Sequence, residues 1–242
     1  MQEIIIIPDV HGRNFWRTAA GLVKKHHLVF LGDYLDPYPG EGISSYTAYE
    51  ELEEIVILKE KYPGNVTLLL GNHDLHYLAP KPGGCRFDWS NAYKNRSFFY
   101  GSLSLFDIAF FLQGGDRDYL FTHAGLLKGW VDKHEAFIGA TYVANVVNEI
   151  NSALHSPRYC EMIIAALSET SPTRGGTELF ASPTWADTFD HRIDCFEFDG
   201  VYQIFGHTLR KEARITPFWA CLDCRQLFKL NTKTGKIEEL TC

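Results

Sequence analysis

The sequence predicts an α/β fold, and two observations support this prediction. Three apolar runs near the start of the chain, IIII, LVFL and VTLLL, alternate with two segments of helical character. Strands joined by helices normally lie parallel in one sheet. Polar residues follow each of the three runs directly, which is typical of parallel sheets whose ligands bind at the carboxyl ends of the strands.

The first half of the chain gives the clearest element predictions. EIIIIP (3–8), LVFLG (28–32) and NVTLLLG (65–71) are expected to be buried strands. NFWRTAAGLVKKHH (14–27) is expected to be an amphipathic helix with Asn14 as its N-cap. SYTAYEELEEIVILKEKYP (45–63) is expected to be a helix that begins at a Ser-Ser cap and ends at Pro63-Gly64.

The second half has a more mixed pattern. Residues 90–112 and 127–168 are expected to be mainly helical, and DYLFTHAG (118–125) to be a strand. The tail is expected to form short strands with a hairpin at Thr234-Gly235. Residues 168–185, rich in Ser, Thr, Gly and Pro, are expected to form a loop over a site within the domain.

Composition excludes several classes of protein. The net charge of -7 argues against binding to a nucleic-acid backbone, which usually needs a basic face. The N-terminus MQEIIIIPDVHGR resembles neither a signal peptide nor a membrane span, so a cytoplasmic location without membrane association is expected. The six cysteines are expected to be reduced thiols, and CLDC (221–224) has no second Cys pair that would predict a metal site.

The residues suited to chemistry lie at the ends of five predicted strands. Because the carboxyl ends of parallel strands share one edge of a sheet, the first three groups are expected to meet in space. Carboxylate, imidazole and amide ligands suit Mn, Fe or Zn. The five segments are PDVHG with Asp9 and His11, GDYLD with Asp33 and Asp36, GNHD with Asn72, His73 and Asp74, THAG with His123, and GHT with His207.

Each of these segments also has an ordinary structural interpretation. Asp33 alone fits a turn, and His123 or His207 alone fits a hydrogen-bonded core histidine. Five such segments in one order, each at a strand end, favour a shared metal site over unrelated turns.

The ordered set PDVHG…GDYLD…GNHD…THAG…GHT resembles the calcineurin-like metallophosphoesterases, especially the phosphoprotein phosphatase branch with its bacterial and phage members. The matching segments extend from residue 9 to residue 208, and PTWADTF (183–189) is similar to the Trp-x-Asp segment of that branch. The resemblance implies that residues 1–242 form a single domain with a central β-sandwich flanked by helices, in αββα layers.

The resemblance also implies two divalent metal ions. Manganese is the expected metal, with iron or zinc as alternatives. Many members of the wider superfamily have a second His two residues after the last motif His, but here that position is Leu209, which leaves the first ion with three protein ligands. The implied ligands are Asp9, His11 and Asp33 for the first ion, and bridging Asp33, Asn72, His123 and His207 for the second.

Two-metal chemistry then predicts the reaction. Metal ions about 3.5–4 Å apart can share a water and lower its pKa from about 15.7 towards about 7, and the resulting hydroxide attacks phosphorus directly. His73 is the expected proton donor to the leaving group because it follows ligand Asn72 without being a ligand itself. In the family, the second Asp of the Gly-Asp-x-x-Asp motif orients this histidine, and here that residue is Asp36.

One position departs from the phosphoprotein phosphatase pattern. Members of that branch follow the second Asp with an Arg that clamps the substrate phosphate, whereas this chain has Pro37, which has no hydrogen-bond donor. Arg13 and Arg174 are the candidate substitutes for this substrate-binding residue. The alternative interpretation of each is a solvated surface arginine.

The sequence therefore predicts a dimetal phosphoesterase that hydrolyses a phosphate monoester on a phosphorylated protein or small molecule, with serine/threonine protein phosphatase activity as one form. An alternative is a nucleotide pyrophosphatase, such as a symmetrical dinucleoside-tetraphosphate hydrolase. A further alternative is a non-catalytic binding module with the same fold, for which a broken set of ligands would be expected. No nucleic-acid partner is expected.

Overall fold

Two β-sheets packed face to face form the centre of the structure, a computed structural model that describes residues 3–79, 85–115, 117–139, 142–193 and 200–240. The first sheet has the strand order β11-β10-β1-β2-β3-β4, and the second has the order β5-β6-β7-β9-β8. The strands are β1 Glu3–Ile7, β2 His27–Phe30, β3 Val66–Leu69, β4 Phe106–Asp107, β5 Ala109–Leu112, β6 Asp118–Thr122, β7 Val201–Phe205, β8 Arg214–Ile215, β9 Trp219–Cys221, β10 Phe228–Asn231 and β11 Ile237–Glu239.

Strands β1, β2 and β3 lie parallel and adjacent, as the strand–helix alternation predicts. Ile4 pairs with His27, and Leu28 pairs with Val66, so the three strands end at the same edge of the sheet. In the second sheet, β6 and β7 are also parallel. The polar segments after β1, β2, β3, β6 and β7 therefore all leave the carboxyl ends of parallel strands.

The apolar core between the sheets explains why the early strands are hydrophobic on both faces. Ile4 and Ile6 of β1 contact a cluster that includes Phe121 of β6 and Ile204 of β7. The alternate residues of β1 belong to a second cluster that includes side chains of the surrounding helices. A strand covered on both sides needs a continuous apolar run, which is the pattern of IIII.

Helices cover the outer faces of both sheets, which confirms the predicted sandwich flanked by helices. Helices α1 and α2 contact the first sheet, and α6 contacts β5 of the second sheet. No helix within the described ranges is both long enough and apolar enough to cross a membrane. The helices are α1 Trp16–Ala20, α2 Ser45–Lys61, α3 Asn72–Leu78, α4 Ala92–Ser102, α5 Lys128–Lys133, α6 Val143–His155, α7 Cys160–Leu167 and α8 Asp190–Ile193.

Several boundaries follow the predicted signals. The Ser44 hydroxyl accepts a hydrogen bond from the Thr47 N–H at the start of α2, which confirms the predicted serine cap. Strands β10 and β11 form the expected antiparallel hairpin around Thr234-Gly235. Residues 168–185 form a loop that contains only one short 3₁₀ turn, Pro172–Arg174.

Two helix predictions were wrong in extent. The helix expected over 14–27 is only Trp16–Ala20, and its N-cap position is Phe15 rather than Asn14. Gly21 favours the helix end, and the chain must turn before β2 begins at His27. The helix expected over 90–112 ends at Ser102 because the residues from Phe106 onwards pair with neighbouring strands, and this long-range pairing outweighs local propensity.

The cysteine prediction agrees with the structure where it can be compared. Cys85, Cys160, Cys221 and Cys224 are free thiols. Cys195 and Cys242 lie outside the described residues.

Candidate metal centre

Asp33 lies at the centre of the convergent polar segments. Its Oδ2 atom is 3.5 Å from Nε2 of His11 and 3.6 Å from Nε2 of His123. The same carboxylate belongs to two compact groups of metal-binding atoms, one with His11 and His73 and the other with His123 and His207. The strand ends therefore bring five of the predicted site residues into two neighbouring groups that share Asp33. The Asp9 carboxylate belongs to neither group, whereas His73, predicted to donate a proton and not to bind metal, belongs to the first.

The hydrogen bonds of His11 and His123 direct one ring nitrogen of each towards Asp33. Nδ1 of His11 is 2.7 Å from the Leu35 carbonyl oxygen, and Nδ1 of His123 is 2.8 Å from the Leu31 carbonyl oxygen. A carbonyl oxygen only accepts, so each Nδ1 carries the proton and each Nε2 presents a lone pair. This is the arrangement that holds imidazole ligands in metal sites.

His207 and Asn72 complete the group around His123. Nε2 of His123 is 3.1 Å from Nδ1 of His207 and 3.0 Å from Oδ1 of Asn72. Burial lowers the pKa of His207 and lowers that of His11 to about 3, so both imidazoles are neutral at ordinary pH. Neutral imidazoles, an amide oxygen and a shared carboxylate form a donor set that fits a divalent transition-metal ion.

Asp9 is held beside the centre by the backbone of the last motif. Its Oδ1 atom accepts a hydrogen bond from the His207 N–H at 3.0 Å. Burial raises the pKa of Asp9 to about 6, and the negative charge of Asp33 adds to this effect. A cation bound between Asp9 and Asp33 would compensate both buried carboxylates, so the electrostatics of this pair also fit a metal ion.

The backbone is strained where the site residues leave their strands. Positive φ angles are uncommon for residues other than glycine and cluster at functional sites. Outside glycine, the described ranges contain five such residues. They are His11 (45°), Asp33 (54°), Asp36 (58°), His207 (63°) and Arg225 (64°).

Asp74 stabilises this strained backbone, a role that the sequence did not assign to it. Its fully buried carboxylate accepts hydrogen bonds from the N–H groups of Gly71, Asp33 and Tyr34, at 2.8 to 3.0 Å. These bonds join the end of β2 to the start of α3, so Asp74 holds Asp33 and Asn72 in a constant relative position.

Two glycines leave the space that the site carboxylates occupy. A Cβ atom on Gly71 would lie 2.1 Å from Oδ1 of Asp33, and one on Gly206 would lie 2.3 Å from Oδ1 of Asp9. Any side chain at either position would displace a candidate metal ligand.

His73 lies at the edge of the centre and pairs with Asp36. Its Nδ1 atom is 2.9 Å from Oδ2 of Asp36, whose Oδ1 atom accepts a 2.5 Å hydrogen bond from the Tyr77 hydroxyl. Burial lowers the pKa of His73, but the negative charge of Asp33 and the bond to Asp36 outweigh burial and raise it well above its usual value. The structure thus brings together a protonated imidazole and the carboxylate that was predicted to orient it.

The two arginines predicted to bind substrate both have carboxylate partners. Arg13 forms a two-bond ion pair with Glu41, with both N···O distances at 3.0 Å. Arg174 lies 2.7 Å from Asp187 and donates to the Thr208 hydroxyl at 2.8 Å. Arg174 therefore lies beside the last motif, whereas Arg13 donates to the backbone carbonyl oxygens of Asp9 and Val10 in the first motif.

Sequence reasoning missed two residues near the centre. Nη2 of Arg86 lies 3.5 Å from Nε2 of His11, although Arg86 is in an irregular segment that carries no motif. Asp223 is the acidic residue inside CLDC, and one of its buried oxygens has no hydrogen-bond partner. Burial raises the pKa of Asp223 to about 9, and the charge of Asp9 adds to this effect.

Comparison with known sequences agrees with this geometry. A model of the calcineurin-like phosphoesterase family matches residues 3–211. The serine/threonine-protein phosphatase PP1-1 of Saccharomyces cerevisiae is 27% identical over 128 residues, which cover 51% of this chain and 39% of that protein. The matched region covers 39% of that protein and 39% of the Drosophila melanogaster serine/threonine-protein phosphatase 6 catalytic subunit, so the chain spans about two fifths of the length of these two relatives.

Solved structures share the fold. A protein serine/threonine phosphatase from Saccharomyces cerevisiae superposes with a TM-score of 0.57 and 14% identity, covering 100% of this chain and 80% of that chain. The cold-active protein-tyrosine phosphatase of a psychrophilic Shewanella superposes with a TM-score of 0.56 and 16% identity, covering 100% and 81%. At such low identity these similarities establish the fold alone.

Proposed function

This chain belongs to the calcineurin-like phosphoesterase family, and from that premise together with the site geometry we propose that it hydrolyses phosphate monoesters with two divalent metal ions. The position of Asp33 is the observation that carries the proposal. One carboxylate within 3.6 Å of imidazole nitrogens on two sides is the arrangement expected of a ligand that bridges two ions.

We assign the ligands from the order of the motifs together with the donor atoms that lie near Asp33. Asp9, His11 and Asp33 would hold one ion. Asp33, Asn72, His123 and His207 would hold the other, with His207 using Nδ1. When bound, the two ions would supply Lewis-acid stabilisation of the phosphoryl oxygens and a water of lowered pKa. Manganese is the proposed metal, with iron or zinc as alternatives, because this donor set accepts all three.

His73 is proposed to give a proton to the leaving oxygen. Its Nδ1 atom is bound to Asp36, so Nε2 is the atom available to donate. The charge of Asp33 and the bond to Asp36 raise the pKa of His73, Asp36 fixes the orientation of the imidazole, and the Tyr77 hydroxyl in turn fixes Asp36. The backbone N–H of His73 donates a 3.0 Å hydrogen bond to Oδ1 of Asp33, which links the proposed proton donor to the metal centre.

A phosphorylated protein or small molecule is the proposed substrate. The relatives named as serine/threonine-protein phosphatases support a phosphorylated protein as one candidate substrate. Arg174 and Arg13 stay predictions as substrate-binding residues. To bind phosphate, the Arg174 guanidinium would have to contact both Asp187 and the phosphate, and the Arg13 guanidinium would have to contact both Glu41 and the phosphate.

A substrate screen of the Mn-loaded protein tests the proposal. p-Nitrophenyl phosphate and phosphopeptides represent monoesters, and a dinucleoside tetraphosphate represents the pyrophosphatase alternative. We expect hydrolysis of the monoesters. Cleavage of the dinucleoside tetraphosphate alone would replace the proposal with the pyrophosphatase function, and no hydrolysis of any compound would favour a binding module.

A further inference from the structure

A cavity of about 410 Å³ opens beside the Asp36 end of the metal centre. Its lining is mixed. Two prolines, two aromatic rings and Ile43 supply apolar surface of limited conformational freedom, whereas Asp36, Ser45, Arg86 and Asp88 are polar. Such a cavity is large enough for a ring-sized group and offers it apolar contact. The residues that line the cavity include Pro37, Tyr38, Pro39, Ile43, Arg86 and Phe87.

Arg86 forms the wall between this cavity and the metal centre. Its guanidinium lies 3.6 Å from the centroid of the Tyr38 ring, and its Nε and Nη2 atoms donate to the Asp36 carbonyl oxygen at 3.2 and 3.0 Å. Nη2 is also 3.5 Å from Nε2 of His11. Stacking on one side and two hydrogen bonds on the other therefore fix the guanidinium next to a candidate metal ligand.

The Arg86 guanidinium differs from those of Arg13 and Arg174 in its partners. Among the described residues, Arg86 forms no ion pair, whereas Arg13 pairs with Glu41 and Arg174 pairs with Asp187. Its hydrogen bonds to described residues use Nε and Nη2, and Nη1 donates to none of these residues. A fixed guanidinium with free N–H groups is the side chain best suited to bind phosphoryl oxygens.

The ring of His11 lies close both to the proposed proton donor and to the cavity wall. The His11 ring lies 5.0 Å from the His73 ring and 5.1 Å from the Tyr38 ring, measured between centroids. A phosphoryl group held near His11 and Arg86 would therefore have His73 on one side and the Tyr38 wall of the cavity on another. Asp36, which bonds to His73, also lines the cavity, so a leaving group beside His73 would lie at the mouth of the cavity.

We propose that Arg86 binds the phosphoryl group of the substrate and that the adjoining cavity receives the leaving group, which is apolar and of ring size, as in an aryl phosphate. This inference rests on the proposed function. Tyr38 is a positioning residue in this arrangement, since it holds the guanidinium by stacking and does not itself need to contact phosphate.

Binding of inorganic phosphate to the Mn-loaded protein tests the role of Arg86 without a chemical step. Isothermal titration calorimetry should show a Kd about tenfold to a hundredfold higher for Arg86→Ala, because a charge-assisted hydrogen bond is lost. Arg86→Lys should recover part of the affinity, and Tyr38→Phe, which retains the ring, should bind within about twofold of the wild type. Arg158→Ala is the matched control because Arg158 stacks on Tyr159 at the surface.

A blocking substitution tests the cavity. Ser45 lines the cavity, whereas Thr47 lies in the same first turn of α2 and does not. Ser45→Phe should raise the KM for p-nitrophenyl phosphate about fivefold or more and leave the Kd of inorganic phosphate unchanged, and Thr47→Phe should change neither. The KM for phosphoserine, whose leaving group is small, should change less than that for p-nitrophenyl phosphate.

The outcomes separate the two proposals. A wild-type protein that hydrolyses monoesters, together with an Arg86→Ala variant that binds phosphate within about twofold, would overturn the role of Arg86 and leave the proposed function intact. An unchanged KM in Ser45→Phe would overturn the cavity assignment. A wild-type protein that hydrolyses no phosphoester would overturn the proposed function, and with it this inference.

Discussion

Nδ1 of His73 lies 2.9 Å from Oδ2 of Asp36, and both side chains are buried at the edge of the metal centre. The pair joins the end of β2 to the first turn of α3, so its geometry depends on the same parallel strands that place Asp33. Neither residue needs to bind a metal ion. The pair can therefore be tested separately from metal binding.

The first prediction concerns proton donation by His73. His73→Asn should lower kcat for a monoester by about a hundredfold to ten-thousandfold, the usual contribution of a general acid. The metal content by mass spectrometry should stay near the wild-type value, because Asp33, His123 and His207 are unchanged. A smaller loss should be measured with a leaving group that needs little protonation, such as p-nitrophenolate. Equal rates for wild type and variant would remove His73 from the mechanism.

The second prediction concerns the shared carboxylate. Asp33→Asn should lower the occupancy of both metal ions, since Asp33 Oδ2 is within 3.6 Å of ligand nitrogens on both sides. Asp132→Asn, an exposed substitution on α5, is the control and should leave metal content unchanged. Two ions retained at full stoichiometry in Asp33→Asn would contradict the bridging position.

The third prediction uses the contact between Gly71 and Asp33. Gly71→Ala would place a Cβ atom 2.1 Å from Asp33 Oδ1 and 2.7 Å from the Asp33 nitrogen. We expect a loss of about 1–3 kcal/mol in the free energy of unfolding, measured with urea, together with weaker metal binding. Gly64→Ala is the matched control because, apart from its two chain neighbours, no described residue has an atom within 4 Å of the added Cβ. Equal unfolding midpoints for the two variants would show that the Gly71 contact relaxes at little cost.

The fourth prediction concerns pH and a buried histidine outside the centre. His27 bonds to Thr67 and stacks on Phe110. Burial lowers the pKa of His27 from 6.5 to about 4; a hydrogen bond from the imidazole to the Gly64 backbone opposes this shift, and the charge of Lys59 adds to it. The unfolded chain therefore binds more protons than the folded chain between these pH values. The free energy of unfolding should fall as the pH is lowered from 6.5 towards 4.

The His27→Gln variant isolates this contribution. Urea unfolding at about pH 7 and about pH 5 should show a smaller pH dependence in His27→Gln than in the wild type. His26→Gln, which removes an imidazole that is partly exposed beside Glu3, serves as the control. An identical pH dependence in the wild type and His27→Gln would show that His27 is not held neutral.

The fifth prediction concerns metal removal. Chelation should abolish hydrolysis and lower the Tm, because ions that bind only the folded state stabilise it by mass action. Adding Mn should restore both properties, and Ca, which prefers oxygen ligands, should restore neither fully. A Tm that is indifferent to chelator and to Mn would argue against ion binding at Asp33 and the histidines around it.

The parallel strands and the order of the polar segments that follow them could be predicted from the amino-acid sequence alone. An apolar run such as IIII indicates a strand that is buried on both faces, and a polar residue that follows such a strand lies at its carboxyl end. For this reason the approach of His11, Asp33 and Asn72 could be predicted from three short segments. The residue types then indicated metal-assisted hydrolysis.

The other side chains around this centre are placed by long-range packing. Arg86 comes from an irregular segment, and its position next to His11 depends on stacking with Tyr38 and on the carbonyl of Asp36. The end of α4 was decided by the pairing of Phe106 with Leu68. Local periodicity carries no information about such contacts, because they join residues far apart in sequence whose burial depends on the packed fold.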